Sequence, residues 1–224
     1  EVHAVEPAQR ARLAAQLLFP ELHVVAGSAS NTPLEPGCAD VVTLLGVVSL
    51  LDDDGPALEE AGRLLADHGH LVVADLVSAT ADSWSDADNR FRSVEDLEAL
   101  AHAHGFVVDS VGCGAVSASG RWGEVAERVD EWIEDHCADR DGYDRWAADK
   151  DKLRFLASEG SVLGGVLVAR PSPQRMSARA RTSGAHGARV RTRHAWTASS
   201  GQADGVSRRD GARGEATEPG TPGA

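Results

Sequence analysis

Aromatic side chains are scarce in this sequence, making up 4% of its 224 residues, with Tyr143 the single tyrosine. A core of this composition has to be built from Leu, Val and Ala. The lone tyrosine also argues against a nicotinamide-dependent short-chain dehydrogenase, which needs Lys four residues after its Tyr where Ala147 stands here. Cysteine is rare too: Cys38, Cys113 and Cys137 form no C-x-x-C pair, so neither a zinc site nor a disulfide framework is expected. No apolar run approaches the roughly 20 residues of a membrane span, and no basic segment followed by an apolar one opens the chain. The expectation is a soluble, cytoplasmic protein with no membrane partner.

Charge is present in quantity but unevenly. The formal net charge is -13, yet residues 172–224 hold nine Arg against four acids, leaving 31 acidic and 13 basic residues in 1–171. A body that acidic repels phosphate backbones, so nucleic acid is excluded as its partner. Residues 172–224 are rich in Gly, Ser, Ala, Arg, Thr and Pro with Trp196 as the only aromatic. Such a segment buries too little apolar surface to offset chain entropy, which predicts a disordered tail after Pro171, with a basic arm for an acidic partner as its functional alternative.

Within 1–171, apolar runs alternate with amphipathic segments, the pattern of an α/β sheet with crossover helices. "EVHAV", "ELHVVAG", "ADVVTLLGVVSLL", "HLVVADL", "FVVDSVGCG" and "SVLGGVLVARP" read as strands, the third apolar enough to be buried on both faces. "PAQRARLAAQLLF" reads as a helix with Leu13, Leu17 and Leu18 along one face. "DDDGPALEEAGRLLADHG" is a helix expected to stop at Gly69, and Ser93 starts another that Gly105 ends. An insert over about 115–160 is too long for an ordinary hairpin loop, and Val125, Val129, Trp132, Ile133 and Cys137 give its first helix one apolar stripe.

In open parallel sheets, ligands sit beyond the carboxyl ends of the strands. Glu6 stands at such an end, where a carboxylate can accept from the vicinal hydroxyls of a ribose; a solvated loop acid is the alternative. Gly46 closes the third strand, where it admits either a close ligand or simply a bend.

Taken in order, "GSASNTPLEPGCADVV" followed by "LEEAGRLLADHGHLVVADL" resembles the class I S-adenosylmethionine-dependent methyltransferases. The chain looks most similar to their small-molecule, natural-product and sugar branch, whose "L-x-E-x-x-R-x-L-x-x-x-G" pattern is met by Leu58, Glu60, Arg63, Leu65 and Gly69. The resemblance covers residues 1–170. It implies a doubly wound, mostly parallel Rossmann-like sheet, with S-adenosylmethionine as cofactor and a small molecule as acceptor. The domain would span 1–171, with 115–160 as a helical lid. The family's first strand and Gly-rich loop come before its ribose-binding acid, so the sequence reads as beginning after them.

By this resemblance Glu6 would hold the ribose, Ser28 and Ala29 would lie along the adenine, and Gly46 would face the methionine portion. Ser28 departs from the acid common there, and a hydroxyl accepts more weakly than a carboxylate. A histidine frequent near Ser49 or Leu50 in the family is also missing.

Methyl transfer is an in-line displacement, so an enzyme mainly aligns the nucleophile and excludes water. For a hydroxyl acceptor, Asp75 and His136 are the candidate bases, with a loop cap and an exposed helical residue as their respective alternatives. His102 and His104 sit near a helix end, where a dipole role suffices. Trp84 and Trp122 are candidate walls for an apolar acceptor, whereas Trp132, on the stripe, is expected to fix the insert to the sheet. A non-catalytic scaffold or partner subunit of the same fold is the alternative function, and a homo-oligomer is left open.

Overall fold

The structure, a computed structural model, describes residues 1–86, 89–116 and 121–177, without the side chains of Arg121 and Trp122. Everything below concerns the unit Glu1–His186. Most of the Arg-rich tail lies outside the described residues.

β1, His3–Glu6, pairs in parallel with β2, His23–Ala26, through the helix α1, Gln9–Leu18. The connection is fastened by the Arg12 guanidinium, which donates to the Glu6 carbonyl at 2.8 Å and the Pro7 carbonyl at 2.6 Å. The leucine face of α1 stays exposed, Leu17 at 83%.

A second sheet runs in the order β3-β4-β8-β7: Ala39–Leu45, Leu65–Ser78, Val162–Pro171 and Phe106–Gly114. β3 and β4 are parallel, while β8 is antiparallel to both β4 and β7. An α/β fold with a mixed sheet is thus observed. Between β4 and β7 lie a small hairpin of β5, Trp84–Ser85, and β6, Arg90–Phe91, and the helix α3, Val94–Ala103. The insert before β8 forms α4, Arg121–Cys137, and α5, Tyr143–Ser158.

Register shows where the core sits. Leu44, Val73 and Leu167 occupy one cross-strand row and are buried with Leu58 and Ala61 of α2, Gly55–Leu64, and Leu97 and Ala101 of α3. The adjacent row, which period-two alternation puts on the opposite face, holds Leu45 at 62% and Val166 at 49% exposure. β3 is therefore not buried on both faces as its apolar run predicts. Among the described residues it is an edge strand with one covered face.

Two further expectations change. α2 ends at Leu64 and passes directly into β4, so Gly69 does not stop the helix. A Cβ there would come within 3.0 Å of the Ala39 and Asp40 carbonyls, so its smallness lets β4 approach the start of β3. The stripe of α4 is largely exposed, and Trp132, 57% exposed, stacks on His136 rather than fixing α4 to the sheet.

The insert is held instead by ion pairs: Asp130 of α4 meets Arg154 and, at 3.8 Å, Lys150 of α5, and Lys152 reaches Asp86 beside the hairpin at 2.8 Å. The fold also continues past Pro171. The Ser172 hydroxyl receives the Arg175 amide at 3.3 Å, and the Arg175 guanidinium donates to the carbonyls of His104 and Glu59. Among the described residues no helix is long and apolar enough to cross a membrane.

Candidate functional site

The loop after β2 is shaped by charge buried beneath it. Glu60 accepts from the Thr32 amide at 2.8 Å, the Thr32 hydroxyl at 2.7 Å and Arg63 Nε at 2.7 Å. Arg63 in turn donates to the Leu34 carbonyl at 2.8 Å. The Arg63 hydrogen bond, aided by Thr32, outweighs desolvation and lowers the Glu60 carboxyl from an ordinary 4.5 to about 2. The same contact raises Arg63. Both ions stand in the helical motif read from the sequence, whose physical task here is to bind the loop over 28–37 to α2.

Ser28 and Ala29 lie in that loop. The Ser28 amide donates to the Asn31 carbonyl at 2.9 Å and the Asn31 amide to the Ser28 carbonyl at 3.1 Å, making a tight turn, while Ala29 packs partly against the core. Glu6 ends β1, and its Oε1 accepts the Ala8 amide at 2.8 Å, satisfying a donor at the start of α1.

Gly46 follows β3 with φ +62, a backbone region that costs other L-residues strain, and among the described residues no atom lies within 4 Å of where a Cβ would stand. Its amide donates to the Ala74 carbonyl at 2.8 Å, extending the β3–β4 pairing by one bond. One strand away, Asp75 has both oxygens fixed by backbone: Oδ2 accepts the Ser49 amide at 3.0 Å and Oδ1 the Leu76 amide at 2.7 Å. Ser49 is presented by a single 3-10 turn, Val48–Leu50.

Gly46, Ser49 and Asp75 line one pocket of about 600 Å³, within the size range of small-molecule sites. It opens where β3, β4 and β7 end and β8 begins. Leu50, Leu76, Leu153 and Val166 wall it, Gly114 and Gly164 contribute bare backbone, and Asn89 adds an amide.

Of the residues singled out from sequence, this pocket brings together Gly46 and Asp75. Glu6, Ser28 and Ala29 sit at or beyond the ends of β1 and β2, outside its lining. His136 is also outside it: Nδ1 lies 2.8 Å from the Trp132 carbonyl and the ring stacks on the Trp132 indole at 4.6 Å. Trp84 packs on Phe91 at 4.5 Å within the hairpin and does not line the pocket. The Trp122 side chain lies outside the described residues. Sequence reasoning missed Ser49, Asn89, Leu153, Gly114 and Gly164. The glycines carried a readable signal, since glycine inside a strand marks a bulge or close approach; Leu153 and Asn89 reach the pocket only through tertiary packing.

Residues 1–73 match the family described as "Methyltransferase domain". No curated protein matches the chain. Among solved structures, the [4+2]-cyclase SpnF is similar at TM-score 0.60 and 21% identity, over 77% of this chain and 67% of its own. The O-methyltransferase of a trans-AT PKS multienzyme from Brevibacillus brevis, in complex with S-adenosyl-L-homocysteine, follows at 0.55 and 13%, over 81% and 64%. A phosphoethanolamine N-methyltransferase 2 from Haemonchus contortus, in complex with S-adenosyl-L-methionine, gives 0.53 and 16%, over 77% and 43%. The chain thus spans about two thirds of the first two proteins and under half of the third. It shares its fold with these three proteins, and its first 73 residues match the methyltransferase-domain family.

Proposed function

We propose that this protein transfers a methyl group from S-adenosylmethionine to a small molecule, with a hydroxyl of a natural product or sugar as the acceptor group. The observation that carries this reading is the pocket in which Gly46 and Asp75 meet at the strand ends. At identities this low, fold similarity leaves the chemistry to be argued from the site, and one of the similar structures is a cyclase.

The residues present fit the cofactor. The strand-end carboxylate Glu6 would hold the ribose hydroxyls, the turn of Ser28 and Ala29 would lie along the adenine, and the bare, positive-φ Gly46 leaves open space for the methionine portion. When bound, S-adenosylmethionine supplies an electrophilic methyl carbon. The protein's part is to align the acceptor, exclude water and receive its proton. Asp75 is the candidate for that last task. Asp75 is among the lining residues and its carboxylate is held by two backbone amides, whereas His136 spends Nδ1 on its own helix. Leu153 brings α5 to the pocket wall, which supports a lid role for the α4–α5 insert in a doubly wound fold. A cytoplasmic enzyme of secondary metabolism belongs to the same reading.

The test is transfer of isotopically labelled methyl from S-adenosylmethionine to a panel of phenols, sugars and amines. Asp75→Asn should lower turnover by about 10²–10⁴, the usual worth of a general base, while cofactor affinity holds. Unchanged turnover would remove Asp75 from the reaction.

A further inference from the structure

The arginines after Pro171 read from sequence as a tail, yet the first of them, Arg175, is seated on the folded body. β8 runs into Ser172, which is 9% exposed and whose amide donates to the Gly105 carbonyl at 2.8 Å. Pro173 then opens a helical turn, in which the Ser172 carbonyl accepts the Met176 amide at 3.1 Å and the Ser172 hydroxyl accepts the Arg175 amide. The turn carries the Arg175 side chain back across α2 and the end of α3.

Several kinds of partner meet the guanidinium there. One terminal nitrogen donates to the His104 carbonyl, at the C-terminus of α3 where the helix dipole favours a cation, and the other donates to the Glu59 carbonyl of α2 at 2.9 Å. Its central carbon lies 5.1 Å from the centre of the buried Phe106 ring, within cation–π range. Gly62 makes the room. It lies inside α2, where glycine is less favourable than alanine, and it does not have a positive φ. The atoms nearest the place where its Cβ would stand are Cζ, Nη2 and Nε of Arg175, each of which such a Cβ would overlap. Helix propensity and backbone conformation both leave glycine unexplained at this position, and the seated guanidinium accounts for it.

We propose that the Glu59 and His104 carbonyls, the Phe106 face and the bare backbone at Gly62 form a guanidinium-binding site, which the chain fills with its own Arg175 to strap residues 172–177 onto α2 and α3. On this assignment the folded domain continues to Ser177 rather than ending at Pro171. The site is independent of the methyl-transfer reading and stands or falls without it.

The test is thermal unfolding of the full chain in a mutant cycle. Arg175→Ala should lower the melting temperature by about 4–8 °C, and Arg175→Lys should recover less than half of that, because an ammonium does not span both carbonyls as a planar fork does. Gly62→Ala alone should lower it too, by displacing the guanidinium. Placed in the Arg175→Ala chain, Gly62→Ala should instead raise it by about 2–4 °C, since the space is then open and alanine favours the helix. Ethylguanidinium chloride should recover part of the loss in Arg175→Ala and raise nothing in the wild type, whose site is filled, while ethylammonium chloride should recover none. If Arg175→Ala fails to fold, Arg175→Lys takes its place in the cycle, and Gly62→Ala should cost less in it than in the wild type. An unchanged melting temperature in Arg175→Ala, a rise in Gly62→Ala alone, losses that add in the double variant, or an equal response to the two salts would overturn the proposal.

Discussion

At the scale of single residues, Glu60 shows how a motif legible in sequence acquires a physical role. Its carboxylate gathers Thr32 and Arg63 into one buried network, so Glu60→Gln should destabilise the protein by about 2–3 kcal/mol, the loss of charged hydrogen bonds, read from urea midpoints. The sign of its pH dependence follows from the lowered value: the contribution is complete above about 4.5 and is lost as pH falls toward about 2. Wild type and variant should therefore converge in stability as pH is taken down through that window, and a gap that stays constant would refute the assignment. Asp75 is different in kind. Its two backbone donors fix orientation at the pocket, and its worth is expected in turnover.

At the scale of elements, local signals and tertiary context divide the account. α3 begins where its capping residue predicts: Ser93, fully buried, accepts the Asp96 amide at 3.0 Å and donates its own amide to the Ser83 hydroxyl at 2.8 Å. Ser93→Ala should cost about 1 kcal/mol of stability, measurable by thermal unfolding; no shift would deny the cap its role. β7 likewise coincides with the run "FVVDSVGCG". Periodicity was insufficient where a neighbour decides. α2 ends before Gly69 because that glycine serves a close contact with β3, which appears only once β3 and β4 pair. The apolar run of β3 could not reveal that one of its faces is open, since burial depends on which elements cover the sheet. His136 and Trp132 satisfied the helical pattern equally well pointing inward or outward, and the structure stacks them on each other at the surface.

At the scale of the whole molecule, the ends of the parallel strands converge as α/β topology requires, which brings the strand-end residues Gly46 and Asp75 to one pocket. The remainder of the pocket depends on β8 running antiparallel between β4 and β7, which pairs Gly164 with Gly114 at the pocket wall. The central claim is that these strand ends hold S-adenosylmethionine beside an acceptor pocket. Calorimetric titration of the 224-residue chain with S-adenosylhomocysteine tests it most directly. The account predicts saturable binding at one site, weakened by about 1–3 kcal/mol in Glu6→Ala through loss of a charged hydrogen bond. Absence of binding, or affinity indifferent to Glu6, would contradict it.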